Sequence, residues 1–184
     1  MAPKCVHAKI GASILNCNFI RIRDELKELI DAGIDFVHLD VMDGNFVDDI
    51  TFGPSFVLNL IRDFPGITFE VHMMVEHPMK FISSMAKAGV SRYIFHYEVT
   101  KNMYPEYKYS VSLAINPDTS VQVVEPFLNL VDSILIMTVR PGLGGQKFMA
   151  NMMHKVQHLR SLKQSEMIDI ELDGGVSPDN TEIC

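Results

Sequence analysis

The sequence predicts an α/β protein built on a parallel (β/α)8 barrel, and three observations support this fold class. Short runs rich in β-branched and aromatic residues alternate with helical patterns along the chain. The runs are almost continuously apolar, as expected for parallel strands that are covered on both faces. Polar residues recur at or near their C-terminal ends, where barrels carry their active sites, whereas an open doubly wound sheet would gather them at one switch point.

The order of the elements indicates seven strands and at least three helices. The strands are predicted in KIGASIL, FVHLDVM, TFEVHMM, YIFHYEV, SVSLAIN, SILIMTV and IDIELDG. Apolar residues at helical spacing predict helices over residues 22–30, 78–86 and 148–162. Gly33 and Gly89 are placed to end the first two helices. No linker or charge block divides the chain, so we expect residues 1–184 to form a single domain.

Two places depart from a complete barrel. After the seventh strand only SPDNTEIC follows, so the eighth strand is absent from this sequence. Between the fourth and fifth strands lies only TKNMYPEYKY, although a parallel crossover normally needs a dozen or more residues. A barrel without its eighth strand would expose two edges. We therefore expect an incomplete domain, with native residues missing soon after Lys101 and beyond Cys184.

Composition excludes several classes of partner. The net charge is −7 without a basic run, so we expect neither nucleic acid nor an anionic membrane surface as a partner. The sequence contains no apolar stretch long enough to span a bilayer, and MAPKCVHAKIGASIL lacks the apolar core of a signal peptide. Cys5, Cys17 and Cys184 show no metal-binding spacing and suit reduced thiols. A cytoplasmic protein is expected.

Four strand residues carry side chains that bind metals. His38 and Asp40 share one face of their strand, and a buried carboxylate is costly unless a partner compensates it. His72 and Asp173 lie at matching depth on two other strands. The full set of polar residues near strand ends is Ser13, His38, Asp40, His72, His96, Asn116 and Asp173.

Each of these residues alone could be an ordinary hydrogen-bonded core residue or a helix cap. Two imidazoles and two carboxylates together indicate a site for one divalent metal ion, which could be zinc, ferrous iron, manganese or cobalt. The two carboxylates also allow paired acid and base roles on opposite sides of a substrate.

Two glycine-rich turns are candidates for binding an anion. VRPGLGGQKF lies between the sixth strand and a helix, and LDGGV follows the seventh strand. Glycines let backbone amides converge on a phosphate near a helix N-terminus, although such loops also simply turn corners. Phosphate sites in (β/α)8 barrels are often built from the loops after late strands, which favours the binding function.

The motifs together resemble one family. HLDVMDGNFVDDITFGP, VHMMVEHP, MTVRPGLGGQKF and LDGGVSPDN are similar to signature segments of the ribulose-phosphate 3-epimerases, and the similarity extends from Ser13 to Asn180. The resemblance implies an isomerase of the pentose phosphate pathway that converts D-ribulose 5-phosphate to D-xylulose 5-phosphate through a 2,3-enediolate. It also implies a homo-oligomer, a dimer or larger.

The resemblance also implies roles for individual residues. The divalent metal would be bound by His38, Asp40, His72 and Asp173, with Asp40 as proton acceptor and Asp173 as proton donor at C3. Ser13 and His72 would contact the substrate. Its reacting carbons would be lined by Met42, Met74 and Met137. Its phosphate would be held by Gly142, Leu143, Gly144, Gly145, Gly174 and Gly175.

Two departures from the family pattern and two alternative functions are relevant. Arg140 stands where the family usually has Glu, and Glu70 replaces the usual Asp before His72. One alternative is a C3 epimerase of a six-carbon ketose phosphate. The other is a non-catalytic barrel that binds a sugar phosphate or a partner protein. Because a binding protein has no need of two opposed carboxylates, Asp40 and Asp173 favour an enzyme.

Overall fold

The computed structural model of the chain describes residues 8–100, 110–165 and 168–184. Its strands are β1 (Gly11–Ser13), β2 (Phe36–Met42), β3 (Thr68–Met74), β4 (Arg92–His96), β5 (Ser110–Ile115), β6 (Ser133–Met137) and β7 (Asp169–Asp173). Its α-helices are α1 (Ile22–Asp31), α2 (Pro54–Asp63), α3 (Ile82–Ala88) and α4 (Met153–Ser161). Short 3-10 helices cover Pro78–Lys80, Tyr97–Val99, Val121–Phe127, Ala150–Met152, Lys163–Ser165 and Thr181–Ile183.

The seven strands form one curled, parallel sheet. Their spatial order is their order in the sequence, from β1 to β7, and every neighbouring pair is parallel. An open doubly wound sheet would instead change direction at a switch point in its strand order. The predicted fold class, an α/β barrel of the TIM type, is therefore confirmed.

Alternating side chains give the sheet two different faces. On β2, Val37 and Leu39 point outward and are fully buried in the core between the sheet and the helices. His38 and Asp40 point to the concave side of the sheet and are each only 3 % exposed. The outer face therefore supplies hydrophobic stabilisation, and the concave face is free to carry polar chemistry.

The helices follow the predicted pattern with local differences. Gly89 ends α3 in the left-handed conformation at φ 97°, as predicted. The predicted second helix is shorter than expected, because a 3-10 helix at Pro78–Lys80 precedes α3. Between β5 and β6 the chain forms a 3-10 helix, Val121–Phe127, whose interior Pro126 is incompatible with a continuous α-helix. Sequence analysis did not identify α2, which Pro54 opens at its first turn.

Both regions of suspected missing chain stay predictions. TKNMYPEYKY falls mainly in residues 101–109, which lie outside the described part of the chain. The side chains of β7, the last strand in the sheet order, are partly or fully exposed, whereas every residue of β6 is buried.

Within residues 8–100, 110–165 and 168–184, no helix has the length and apolarity of a membrane span.

The outer core generates a stability prediction. Leu39 is fully buried, so Leu39→Ala should lower the free energy of unfolding by about 2–5 kcal/mol, through lost burial and the cavity left behind. Denaturant unfolding followed by circular dichroism measures this change. Leu130 is 59 % exposed, so the same substitution there should cost well under about 1 kcal/mol. Equal losses for both variants would contradict the described core.

Candidate metal centre and active site

The register of the parallel strands places the site residues at similar positions along the strands, near their C-terminal ends. Asp40 on β2 lies beside His72 on β3. Ser13 on β1 lies beside His38, and the last residue of β7, Asp173, lies beside β6. Because paired residues of parallel strands project to the same side, these side chains all reach the concave face near the C-terminal ends of the strands. Four different strands thus contribute to one cluster.

The two histidines and two aspartates converge on one small volume. One ligand atom each from His38, Asp40, His72 and Asp173 lies within 4.8 Å of every other. His38 Nε2 is 3.5 Å from Asp40 Oδ1 and 3.8 Å from Asp173 Oδ2. His72 Nδ1 is 3.2 Å from Asp40 Oδ1 and 3.4 Å from Asp173 Oδ2. Each carboxylate therefore faces both imidazoles.

The donor set and its hydrogen bonding fit a divalent cation. His38 Nε2 is buried and has no hydrogen-bond partner among the described residues, although it points into the cluster. An unpaired buried nitrogen is costly unless something binds it. Two nitrogen and two oxygen ligands suit zinc or a neighbouring transition metal, and ligand bonds of roughly 2 Å are compatible with this spacing between ligand atoms.

Charge compensation within the cluster shifts the pKa values of its members. Burial lowers the pKa of His38, but nearby carboxylates, with Asp40 foremost, outweigh burial and raise the pKa well above its usual value. Asp173 and Asp40 likewise overcome burial and raise the pKa of His72. Burial raises the pKa of Asp40, yet His38 and His72 hold it well below the usual range. The buried carboxylate of Asp40 is thus stabilised in its charged form by positive charge on its neighbours.

The far side of the His38 ring is held by carboxylates deeper in the barrel. His38 Nδ1 is 2.6 Å from Glu70 Oε1 and 3.5 Å from Glu171 Oε1. Arg92 Nη1 lies 3.4 Å from Glu70 and 3.5 Å from Glu171. Burial raises the pKa of Glu70 to about 7, whereas hydrogen bonds from His38 and Glu70 lower the pKa of Glu171 to about 2 against the effect of burial. His38 therefore presents Nε2 to the cluster.

The far side of the His72 ring is held by a histidine and a glutamate. His72 Nε2 is 2.8 Å from His96 Nε2, and His96 Nδ1 is 3.2 Å from Glu98 Oε2. Burial lowers the pKa of His96 to about 4. Burial raises the pKa of Glu98, but hydrogen bonds from His96, Thr119 and Asn116 lower it to about 2. His72 therefore points Nδ1 toward the cluster, whereas His38 points Nε2 toward it.

The remaining predicted substrate contacts lie in two places around the cluster. Ser13 Oγ donates a hydrogen bond of 2.6 Å to Asp40 Oδ2. Met42 and Met74 pack together with Val47 in a small apolar cluster. Met137 belongs to a different apolar cluster, although its position on β6 is directly beside Asp173. The structure therefore brings two of the three methionines together and places the third beside Asp173.

The two glycine-rich turns lie against each other. A Cβ atom on Gly175, at φ 70°, would lie 2.6 Å from the backbone nitrogen of Phe148 and 2.8 Å from the carbonyl oxygen of Gln146. A Cβ atom on Gly174, at φ 109°, would overlap the Val139 side chain at 2.2 Å. Only glycine combines this backbone conformation with so close an approach. The turn after β7 is therefore packed tightly against the loop after β6.

The loop after β6 is closed by its own hydrogen bonds. Gln146 Nε2 donates to the carbonyl oxygen atoms of Arg140 and Leu143, at 2.5 and 2.7 Å. The Leu143 side chain is 69 % exposed. Arg140, the departure from the family pattern, pairs with Asp118 at 2.8 Å on the surface. The remaining predicted members of the loop are Gly142, Gly144 and Gly145.

Sequence reasoning missed several residues that support the cluster. Glu171 lies two positions before Asp173, so strand alternation alone could have placed it on the same face. Glu98 follows β4 in a 3-10 helix, where alternation gives no guide. Lys155, which is 2 % exposed on α4, carries no sequence signal that would link it to the site. The sequence pattern places His96 among the polar residues near strand ends but assigns it no role.

The sequence of the chain is similar to those of known proteins. Residues 9–184 match the sequence profile of the ribulose-phosphate 3 epimerase family. The cytoplasmic isoform of ribulose-phosphate 3-epimerase from rice, Oryza sativa subsp. japonica, is 37 % identical, over 96 % of this chain and 81 % of its own length. Ribulose-phosphate 3-epimerase from Bacillus subtilis is 34 % identical, over 95 % and 84 %. That from Schizosaccharomyces pombe is 37 % identical, over 94 % and 78 %.

The hydrogen bonding of Glu98 predicts a pH-dependent contribution to stability. Its pKa falls from 4.5 to about 2 on folding, so its contribution is complete above pH 4.5 and is lost as the pH falls toward 2. Glu98→Gln should therefore lower the free energy of unfolding by about 2–3 kcal/mol at neutral pH and by much less near pH 3. Urea unfolding of both proteins at several pH values measures this difference. A loss that stays constant with pH would contradict the prediction.

Proposed function

The chain belongs to the ribulose-phosphate 3-epimerase family, and from that premise we propose that it inverts carbon C3 of D-ribulose 5-phosphate to give D-xylulose 5-phosphate. The observation that carries this proposal is the convergence of two aspartates and two histidines on one volume at the C-terminal ends of the strands. Inversion at a carbon next to a ketone requires removal of a proton from one side and delivery of a proton to the other. Two carboxylates in one site provide the two groups needed.

The cluster would hold one divalent metal ion through His38 Nε2, His72 Nδ1 and one oxygen each of Asp40 and Asp173. The unpartnered His38 Nε2 and the mixed nitrogen and oxygen donors support this assignment. When bound, such an ion acts as a Lewis acid that stabilises negative charge on the oxygens of an enediolate. Zinc, ferrous iron, manganese and cobalt all suit these donors.

Asp40 would remove the C3 proton of ribulose 5-phosphate, and Asp173 would deliver a proton to the other face. Ser13 supports the role of Asp40, since its hydroxyl donates to Oδ2 and holds that carboxylate in place. His38 and His72 face both carboxylates and so keep them close to one point. A single base could return the proton only to the face it came from, so two are required for inversion.

The surrounding residues would bind and shield the sugar phosphate. Met42 and Met74 form an apolar wall, with Met137 beside Asp173, and such walls exclude water from a reactive enediolate. Backbone amides of the two packed glycine turns would hold the phosphate group. The turns are formed by Gly142, Leu143, Gly144, Gly145, Gly174 and Gly175.

Cellular setting and assembly complete the proposal. We expect the enzyme to act in the cytoplasm within the pentose phosphate pathway, supported by the name of the rice relative, a cytoplasmic isoform. A homo-oligomer stays a prediction from the family resemblance. A six-carbon ketose phosphate is the alternative substrate, and comparing turnover of the two sugars decides between them.

Metal binding should stabilise the fold. With free zinc at one hundred times its dissociation constant, the free energy of unfolding should rise by about 2.7 kcal/mol, since the ion binds only the folded cluster. Thermal unfolding with zinc and with a chelator measures this shift. Asp173→Asn should lose most of it, because one ligand oxygen becomes an amide. His154→Asn, at an exposed position outside the cluster, is the control and should keep the full shift. No shift in the wild type would contradict the proposed metal site.

Separate exchange and inversion assays test the two-base assignment. Asp40→Asn and Asp173→Asn should each lower epimerisation by at least about 10³-fold, because each removes a group that transfers a proton. Only Asp173→Asn should still exchange the C3 proton of ribulose 5-phosphate with deuterated solvent, since Asp40 remains. NMR in deuterium oxide follows exchange, and a coupled assay follows xylulose 5-phosphate. Near-normal turnover by either variant would refute the assignment.

A further inference from the structure

Beyond the ligands themselves, a series of hydrogen bonds runs from the proposed metal centre toward helix α4. Its first link joins His72 Nε2 to His96 Nε2 at 2.8 Å, and its second joins His96 Nδ1 to Glu98 Oε2 at 3.2 Å. Both histidine rings are fully buried. The rings of His72 and His96 are stacked with their centroids 4.9 Å apart, and Phe46 covers His96 at a centroid distance of 4.6 Å. The second histidine therefore has a single fixed orientation.

Glu98 is in turn fixed by the loop that follows β5. Its Oε1 atom accepts hydrogen bonds from the Asn116 backbone amide, at 2.9 Å, and from the Thr119 hydroxyl. The same loop is anchored by Lys155 on α4, whose ammonium donates to the carbonyl oxygens of Asn116, Pro117 and Thr119 at 2.9, 2.8 and 2.7 Å. The position of Glu98 is thus set by α4, on the outside of the sheet.

When His72 binds a metal, the hydrogen bonds from His72 through His96 to Glu98 can be donated in only one direction. A ligating Nδ1 must carry a lone pair, so the single proton of a neutral His72 ring lies on Nε2 and is donated to His96. His96 Nε2 must then accept, and its proton lies on Nδ1, facing the Glu98 carboxylate, which can only accept. If His96 carried its proton on Nε2, the two Nε2–H groups would face each other, or His72 would have its proton on the ligating nitrogen.

We propose that His96 and Glu98 are positioning residues, which hold His72 in the tautomer and orientation that present the Nδ1 lone pair to the metal. This inference rests on the proposed metal-dependent function. It differs from the support of His38, whose ring is held directly by Glu70 at 2.6 Å. Residues that orient metal-binding histidines typically change metal affinity about 10–100-fold when they are replaced.

Paired substitutions of His96 test the inference. His96→Phe keeps a buried ring but removes the acceptor, so zinc affinity, measured by competition with a chelator, should fall about 10–100-fold. His96→Gln can accept from His72 through its amide oxygen and donate to Glu98 through its amide nitrogen. It should therefore restore most of the affinity. The visible absorption spectrum of the cobalt-substituted protein should change in His96→Phe and stay close to that of the wild type in His96→Gln.

His158 offers a matched control. Its Nε2 atom lies 2.8 Å from Glu125 Oε1, and this pair lies outside the cluster. His158→Phe should leave the zinc affinity and the cobalt spectrum unchanged. If His96→Phe also leaves both unchanged, or if His96→Gln is as weak as His96→Phe, the positioning role is overturned. Failure of the wild type to bind zinc would instead overturn the proposed metal site, together with this inference.

The protonation of the rings can also be read without any substitution, which decides the matter even if His96→Phe does not fold. NMR of the wild-type zinc protein with ¹⁵N-labelled histidines distinguishes Nδ1–H from Nε2–H tautomers. We expect the proton on Nε2 of His72 and on Nδ1 of His96. A proton on Nε2 of His96 would overturn the proposed direction of the chain.

Discussion

The interaction on which the site depends is the compensation of the buried Asp40 carboxylate and the partly buried Asp173 carboxylate by two buried imidazoles. Asp40 is 3 % exposed and His72 is fully buried, so water cannot solvate their charges. Positive charge must therefore be supplied at this point, whether by protons on the imidazoles or by a divalent cation. The raised pKa values of His38 and His72 and the depressed pKa of Asp40 express the same demand. A fold that buries this cluster is thereby prepared to bind a metal.

The two histidines meet this demand with opposite ring nitrogens, which explains why their supports differ. His38 turns Nε2 inward and leaves Nδ1 to the nearby carboxylate of Glu70. His72 turns Nδ1 inward, so Nε2 points along the sheet toward β4, where His96 extends the chain of hydrogen bonds to Glu98. One support is short and lies inside the barrel. The other is longer and ends in a loop anchored from outside, so packing of α4 is linked to the geometry of the metal centre.

Strand alternation and strand order explain what could be predicted from the sequence. His38 and Asp40 are two positions apart on a strand, so their shared face followed directly from the pattern, as did the outward burial of Leu39. The barrel was predictable because helices and strands alternate. The hydrogen-bond network that connects His96, Glu98 and Lys155 was not predictable. It depends on a 3-10 helix, a loop and a helix that meet only in three dimensions. The tautomers of the histidines and the unpaired His38 nitrogen likewise could not be predicted, because they follow from interatomic distances and not from the spacing of residues in the sequence.

The net negative charge of the protein explains why backbone amides of the glycine turns are suited to the proposed binding of a phosphate group. A net charge of −7 repels a sugar phosphate at long range, and Arg140 in the turn after β6 is paired with Asp118. Backbone amides carry no net charge, so they can bind an anion without adding a cation near the metal centre. The close packing of Gly175 against Gln146 and Phe148 fixes the directions of these amides. In the proposed mechanism, positive charge at the metal would then concentrate the attraction for the enediolate oxygens beside Asp40 and Asp173, which are the proposed proton-transfer groups.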